Sequence, residues 1–448
     1  MFRTLLILPL AMSVSAAAYA QSMQEAMSHA LEVRPEVRAG AKARQSAEEQ
    51  MNAARSGYLP RVDLVTGYGR EGTRTPGTRQ DEGSFVNMTR SEASLSVQQM
   101  VFDGFATKNE VDRQRSTVNA KAYQLLGTSE KLALNVASVY IDVLKREALE
   151  RLARDNLARH ERLFELIQQR STQGLGRSVD LEQAEARLAQ ARNNLITEQT
   201  NLEDARVNFQ SAVGQSPTAL SMPTEVTESM PQSLETARAE MLDNNPLLRS
   251  AESDVRAAEA QYQAARSGLY PRVDVEVSRT LNNNLDGTAG VNEDWQAMMR
   301  MRYNLYAGGK TTSDIQAKSF QIEEATEIRN DALRVLNEEL GLAWNALDNA
   351  RKQLPIAREY VERSARVRQA YQRQFTLGER TLLDLLDSEN ELFTASRRLE
   401  EVRFIEVSTQ YRIKAVMGAL LKTHNVVAPM ASTPLDNVRV RATLPSGQ

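Results

Sequence analysis

Residues 53–64 read AARSGYLPRVDL and residues 264–275 read AARSGLYPRVDV. The second stretch returns 211 positions after the first, with a Leu-Tyr exchange and one Leu replaced by Val. In both, an Ala-rich run meets Gly-x-x-Pro, where Gly caps a helix, Pro forbids its continuation and an alternating segment follows. One chain therefore carries the same helix-to-strand junction twice. The match spreads outward from it. Pro35 pairs with Pro246 and Gly57 with Gly268 at the same separation. Farther along the separation becomes 204: Phe102-Asp103-Gly104 matches Tyr306-Ala307-Gly308, Tyr140 matches Trp344, Gly174 matches Gly378, Asp180-Leu181 matches Asp384-Leu385, and Gly214 matches Gly418. The seven residues lost between the two registers fall where EGTRTPGTRQDEGSFVNM (71–88) faces LNNNLDGTAGVN (281–292). Both are polar and Gly-rich, the composition of loop tips that accept insertions.

A tandem duplication follows. The expected organisation is a first copy over 21–216, a Pro-, Ser- and Thr-bearing linker over 217–232, a second copy over 233–424 and an irregular tail over 425–448. Ahead of these, Arg3, the apolar run Leu5 to Ala17 and Ala18-Tyr19-Ala20 form a secretory signal pattern over residues 1–20, favoured over a buried N-terminal helix because polar Gln21-Ser22 follows directly. No later uncharged apolar run is long enough to span a bilayer as a helix, and no Cys follows the cleavage point to carry a lipid.

Composition excludes several functions. The 448 residues are 41% apolar and 25% charged, which argues for folded structure, and 55 basic against 58 acidic residues leave no global field for nucleic acid. The absence of Cys removes disulfides and thiolate metal sites, and His29, His160 and His424 lack ligand spacing. YAGGKTTS (306–313) has Gly-Lys-Thr between a strand and a helix, but a phosphate loop needs a Gly where Asn304 stands, so the glycines are read as a turn. No nucleophile, acid pair or cofactor motif stands out. Neither an enzyme nor a cofactor is expected.

Each copy reads in one order. An Ala-rich helix (about 23–56 and 234–267) leads into two strands. In residues 295–305, Trp295, Ala297, Met299, Met301, Tyr303 and Leu305 share one face, with Gln296, Arg300, Arg302 and Asn304 on the other and Met298 as the exception. That period of two marks a strand with one apolar and one wet face. The first copy is weaker, with Val62, Leu64 and Tyr68, then Ala93, Leu95, Val97 and Val101. Long helical stretches begin near Ala106 and Thr311; the first would run roughly 100 Å if straight. Val111, Val118, Leu125, Leu132 and Val139 recur every seven residues. Leu181, Leu188, Leu195, Leu202 and Phe209 do likewise, alternating with Ala184, Ala191, Ala205 and Ala212 and broken by Glu198. These are coiled-coil seams. Pro355 is expected to kink or split its helix, and Gly174 and Gly378 to mark the turns where the long helices reverse.

Four strands with an apolar outer face cannot sit in lipid with open edges. Tyr58, Tyr68, Tyr270 and Trp295 supply an interfacial aromatic set, so a barrel closed by several chains is expected. Two chains would give eight strands and a filled interior; three would give twelve and a lumen, which is favoured.

Over its whole mature length the chain resembles the TolC family of trimeric outer-membrane channels, with VFDGF (101–105) and LYAGG (305–309) at the strand-to-helix joins and LGERTLLDLLD (377–387) at the second helical turn. The resemblance implies a mainly α fold with a small β part: long antiparallel coiled-coil helices and four strands per protomer, trimerising into a 12-stranded barrel continued by a helical periplasmic tunnel. It implies a passive exit duct in the outer membrane of a Gram-negative cell, working as a homotrimer in outer-membrane lipid with a periplasmic adaptor (membrane fusion protein). The inner-membrane partner would be an ABC transporter or, alternatively, a proton-driven efflux pump. VFDGF looks more like the type I secretion branch, which points to protein cargo.

The resemblance also implies a periplasmic constriction at Asp180, Arg380, Asp384 and Asp387. Three-fold symmetry would place Asp384 and Asp387 in rings of carboxylates suited to cations. Arg380 would hold the closed state by pairing with Asp180. Gly174, Gly176 and Gly378 would be helix-tip turns gripped by the adaptor, and Gly104 and Gly308 the strand-to-helix joins. Phe375 and Val179 stand where the family has Tyr and Thr, so two hydroxyls of its latch are missing. The bland alternative makes these charges a solvated helix surface, and the competing function is a periplasmic coiled-coil scaffold without a pore.

Overall fold

A computed structural model describes residues 21–77, 85–174, 177–223 and 225–442. The expected signal segment 1–20, Gly176 and the end of the tail lie outside the described residues. The elements in chain order are α1 (Met23–Val33), α2 (Pro35–Arg55), β1 (Arg61–Thr73), β2 (Val86–Phe102), α3 (Ala106–Thr172), α4 (Ser178–Val213), α5 (Glu225–Glu228), α6 (Leu234–Asn244), α7 (Pro246–Ala265), β3 (Arg272–Asn283), β4 (Val291–Arg302), α8 (Lys310–Thr376), α9 (Leu382–Val416) and α10 (Leu420–Thr423).

The compact units do not follow the two copies. One contains Pro35–Thr128, Ala239–Glu338 and Pro429–Gln448; the other contains Met1–Arg34, Ser129–Arg238 and Glu339–Ala428. Each takes segments from both halves of the sequence, because α3 and α8 run through both units.

In the strand-bearing unit the four strands form one antiparallel sheet in the order β1-β2-β3-β4. Arg61 lies opposite Gln98 in the first hairpin, and Arg272 opposite Arg302 in the second. Adding 211 to one strand and 204 to the other carries the first pair onto the second, so both sequence registers recur in the strand pairing. The PRVD motif then has a local meaning. Arg61 and Arg272 each reach two residues along their own strand to Asp63 (2.6 Å) and Asp274 (3.0 Å), because side chains two apart share a face. Asp274 is fully buried, with Arg302 also at 3.5 Å.

The glycines of the junction are explained by approach. A Cβ on Gly57 would lie 3.0 Å from the Thr107 methyl, and one on Gly268 would lie 3.2 Å from that of Thr311. Each junction thus packs against the first turn of its own long helix, at threonines 204 residues apart. The copies differ in how that turn is capped. Asp103 accepts hydrogen bonds from the Thr107 amide (2.8 Å) and hydroxyl (2.6 Å), whereas the matching residue is Ala307. The tail has little regular structure beyond one 3-10 turn, yet it is tied down: Asp436 meets Arg115 at 2.6 Å, and Arg441 bonds to buried Glu252, which also pairs with Arg329 at 2.8 Å.

Three expectations are corrected here. The Ala-rich helices expected as single runs are each broken one residue before a proline, at Pro35 and Pro246. The proline ring pushes the preceding residue out of the helical region, and Arg34 (ψ 126°) and Asn245 (ψ 121°) are extended. Of the two outcomes expected at Pro355, a kink or a split, the split does not occur: α8 is continuous from Lys310 to Thr376. A proline inside a helix costs about 3 kcal/mol, and the turn before it is tied to α9 by Arg398, which donates to Gln353 at 2.9 Å. Finally, β4 ends at Arg302, so Tyr303 and Leu305 continue the alternating pattern without being strand.

In the helical unit the expected α4 seam is a packed face: Leu188, Leu202 and Phe209 are buried alongside Ala184, Ala191, Ala205 and Ala212. Glu198, the break in the pattern, is 3% exposed and is held by Arg397 at 2.9 Å and Arg146 at 4.0 Å. A carboxylate at that depth needs such partners.

Asn245 caps α7 by accepting from the amides of Leu247 (2.8 Å) and Leu248 (3.2 Å). Replacing Asn245 by Ala should lower stability by about 1 kcal/mol, read as a reduced urea midpoint with unchanged slope.

Candidate functional site, helix tips and an exposed sheet face

The helical unit ends in two reversals whose residues the sequence singles out. Gly378 (φ 78°) sits just past α8; its amide donates to Phe375 O (3.1 Å), and that of Glu379 to Gln374 O (2.9 Å). These two bonds form a Schellman cap, which needs a left-handed residue at the glycine. Gly174 (φ 71°) closes α3 with a matching bond to Ser171 O at 3.0 Å. The next helices start differently. Thr381 and Asp384 form a reciprocal capping box on α9, while the matching Arg177 of α4 makes no side-chain cap.

Beneath the reversals lies an apolar cluster of Leu163, Ile167, Ala184, Phe375, Leu382, Leu385 and Leu386. Phe375 is thus a core residue, with the Arg170 guanidinium 5.0 Å from its ring centre. A tyrosine hydroxyl here would need a partner at the cluster's edge, and phenylalanine removes that requirement. Val179 is exposed.

The proposed constriction residues have definite partners. Arg380 does not pair with Asp180 in this structure. It lies 3.8 Å from Asp384, donates to Gln374 at 3.1 Å and stacks 4.5 Å above Tyr371, all on its own hairpin. The cap at Gly378 and the capping box at Thr381 bring Gln374 and Asp384 of its own hairpin within its reach. Asp384 accepts from the Thr381 hydroxyl at 2.8 Å and the Thr381 amide at 3.3 Å. Those bonds, with Arg380 nearby, hold its carboxyl below the usual range. Asp387 meets Arg187 of α4 at 2.9 Å, one of the ion pairs that join the two hairpins. Asp180 lies in the first turn of α4, where the helix dipole favours an anion.

Arg187 went unnoticed in the sequence, as did buried Glu389 with Arg159 (3.0 Å) and Arg368 (3.6 Å). Their signal was faint: an acid on the apolar side of a seam, of which Glu198 was the noticed example. His160, 5% exposed, adjoins this group. Burial first, then Arg159 and Arg187, lowers its pKa to about 4. Elsewhere in the unit, burial pushes Glu130 up to about 7 even though it accepts from the amides of Leu420 (3.0 Å) and Leu421 (3.4 Å).

In the strand-bearing unit the two sheet faces differ sharply. Tyr68 (85% exposed), Trp295 (77%) and Met299 (71%) stand with Val62, Leu64 and Met301 on one exposed face. Exposed apolar side chains gathered on one face seek a non-aqueous partner, and the ion pair of Arg279 and Glu293 interrupts them beside Trp295. The opposite face carries ion pairs: Arg90 with Glu71 (2.8 Å) and Glu92 (2.7 Å), and Glu276 with Arg300 (3.0 Å) and Arg302 (2.9 Å). Among the described residues, no helix is long and apolar enough to cross a membrane, and no cluster of three His, Asp or Glu residues is placed to hold a metal.

Known proteins share this arrangement. The model of the family described as outer membrane efflux protein matches residues 26–215 and 237–419. The chain is 24% identical over 447 residues to the outer membrane protein TolC of Escherichia coli (strain K12), covering 95% of this chain and 88% of that one. It is 23% identical over 450 residues to the proteases secretion protein PrtF of Dickeya chrysanthemi, covering 94% and 93%. Among solved structures, that of CusC superposes with a TM-score of 0.78 at 15% identity, covering 89% of this chain and 92% of that chain.

Two pH effects of opposite sign follow. The folded chain holds the Glu130 proton more tightly than the unfolded chain, so that stability is whole below about 4.5 and lost as pH rises through about 7. His160 holds its proton less tightly when folded, so its contribution is whole above about 6.5 and lost as pH falls through about 4. In denaturant midpoints followed from about pH 4 to about pH 8, Glu130→Gln should flatten the neutral-side decline and His160→Gln the acid-side one.

Proposed function

The chain belongs to the family of outer membrane efflux proteins, and from that premise we propose that it is the passive exit duct of a tripartite export system. Channels of this family reside in the outer membrane, reach into the periplasm, assemble as trimers and work with periplasmic adaptors and inner-membrane pumps. The observation that carries the reading for this chain is the two-faced sheet, with Tyr68, Trp295 and Met299 bare on one side and an ion-paired surface on the other. Lipid takes the first face and a water-filled lumen the second. A periplasmic scaffold has no use for such a sheet.

Three copies complete the wall with twelve strands and leave a lumen, which eight strands would not. Cargo passes down the concentration set by the pump, and this chain supplies the path and its narrowing. We assign the narrowing to Asp384 and Asp387, tripled by symmetry, with Arg380 bracing the loop that presents them. Asp180 opens the neighbouring hairpin. The adaptor grips the reversals at Gly174, Gly176 and Gly378, and the joins at Gly104 and Gly308 pass the chain from strand to long helix.

Protein cargo, delivered by an ABC transporter in type I secretion, is the finer assignment. It is supported by the VFDGF join and by the likeness to a protein described as serving protease secretion. Small-molecule efflux by a proton-driven pump is the second reading, favoured by the description of the family.

Mild crosslinking followed by copurification decides between them: an ABC transporter in the complex supports protein secretion, and a proton-driven pump supports drug efflux. Recovery in the soluble periplasmic fraction would remove the duct reading in favour of a scaffold. At the tip, Asp384→Ala combined with Asp387→Ala should weaken block of single-channel current by multivalent cations. Unchanged block would take both carboxylates out of the conduction path. Arg380→Ser should raise conductance by releasing the loop from Tyr371, Gln374 and Asp384.

A further inference from the structure

One turn behind the apolar cluster of the tips lies a layer of another kind. Leu163, Ala184 and Leu386 belong to that cluster and Tyr371 packs against it. Three residues from each stand His160 of α3, Arg187 of α4, Arg368 of α8 and Glu389 of α9. A spacing of three keeps both sets on one face of each helix, so polar side chains replace apolar ones on all four helices at once. The layer is incompletely bonded. Asn156 Nδ2, His160 Nδ1 and Glu389 Oε2 are buried without a hydrogen bond, as are the Nε atoms of Arg159 and Arg368, which stand 3.0 Å and 3.6 Å from the Glu389 carboxylate. Buried polar atoms left this way favour any rearrangement that lets water reach them.

Two ion pairs cross from the α3–α4 hairpin to α9 at this height, Arg159 with Glu389 and Arg187 with Asp387. His160 adjoins both. Of the charges that act on its ring, those of Arg159 and Arg187 prevail. The charged groups beyond them are Asp387 and Glu389 of α9 and Arg368 of α8, and both acids are already engaged by arginines. An imidazolium here therefore has no acid of its own. The second copy carries Ser364 at the matching position, buried and without charge, so each chain holds one titrating ring in the layer.

We propose that His160 is an acid-sensitive lock on the helix tips: neutral, it lets the two hairpins stay joined, and protonated, it becomes a third cation beside Arg159 and Arg187 that parts α3 and α4 from α9 and widens the narrowing. The proposal rests on the exit-duct reading and adds a control to it. Charge on the ring is met by water alone, and water enters when the helices separate. In the closed layer the ring titrates at about 4, and once hydrated it returns to its ordinary value of about 6.5. The opened tip thus binds the proton more tightly, so falling pH favours opening and rising pH favours closure. Those two values favour opening by roughly tenfold per chain near pH 5.5 and roughly a hundredfold near pH 4.

The test is open probability in planar bilayers, recorded on the membrane-extracted protein from about pH 7 down to about pH 4.5. The unaltered chain should open progressively as the pH falls. His160→Gln, neutral at every pH, should match it near pH 7 and lose most of the acid rise. His160→Arg carries a cation at every pH and should be open already near pH 7. An acid rise in His160→Gln equal to that of the unaltered chain would assign the response to the tip carboxylates Asp384 and Asp387 and overturn the proposal. So would an unaltered chain that shows no acid rise, or a His160→Arg trimer as closed at neutral pH as the unaltered one. Should His160→Arg fail to assemble, as its mass in detergent would show, His160→Gln decides alone. The two levels separate cleanly: channels that ignore His160 sink the lock and spare the duct, and a protein that forms no channel at any pH sinks both.

Discussion

Backbone amides and carbonyls in hydrocarbon have nothing to bond but each other, and the described residues hold four strands with which to satisfy them. Two edges, β1 and β4, remain open however well the single chain folds. The consequences run through the strand-bearing unit. Its apolar face stays bare of protein, its second strand-to-helix join, at Gly308, lacks the close contact that the first, at Gly104, makes with Ser267 and Tyr270, and β4 stops short while the sequence goes on alternating. Each is a local symptom of one shortage of partners.

The helical unit meets a different demand. Its seams allow close packing through alanines, but they also enclose carboxylates at Glu198 and Glu389, each held by two arginines from other helices. Buried pairs of this kind seldom add net stability over apolar packing. They do fix which helices face each other and at what height, since a slip of one turn would strand a charge. At the tips the same logic is used closer to solvent, where Asp387 and Arg187 tie one hairpin to the other above the apolar cluster of Leu385 and Phe375.

Duplication supplies economy without forcing identity. The glycine-threonine approach at Gly57 and Thr107 returns at Gly268 and Thr311, while capping alternates between copies: Asp103 caps the first long helix and Thr381 the second α9 start, with Ala307 and Arg177 at the matching places. The repeated features hold the backbone path. The divergent ones lie at helix ends, where the two halves meet different surroundings.

Much of this was legible in residue order alone. Periodicity of two and of seven, Gly-x-x-Pro junctions and the two repeat separations placed the strands, long helices and reversals, because these depend on neighbours within a few residues or on one buried face. Pro35 and Pro246 were present as breaks too, but a helical pattern resuming at once on the far side disguised them. What residue order left open was every choice made between distant segments. That Arg380 turns back to Asp384 rather than across to Asp180, that Asp387 takes Arg187, that Glu198 lies inside a seam and that Tyr303 falls off the end of a strand are decided by which elements stand alongside. Partner choice among charged side chains and the length of a strand end are set by distances of a few ångströms, and only the folded chain supplies those distances.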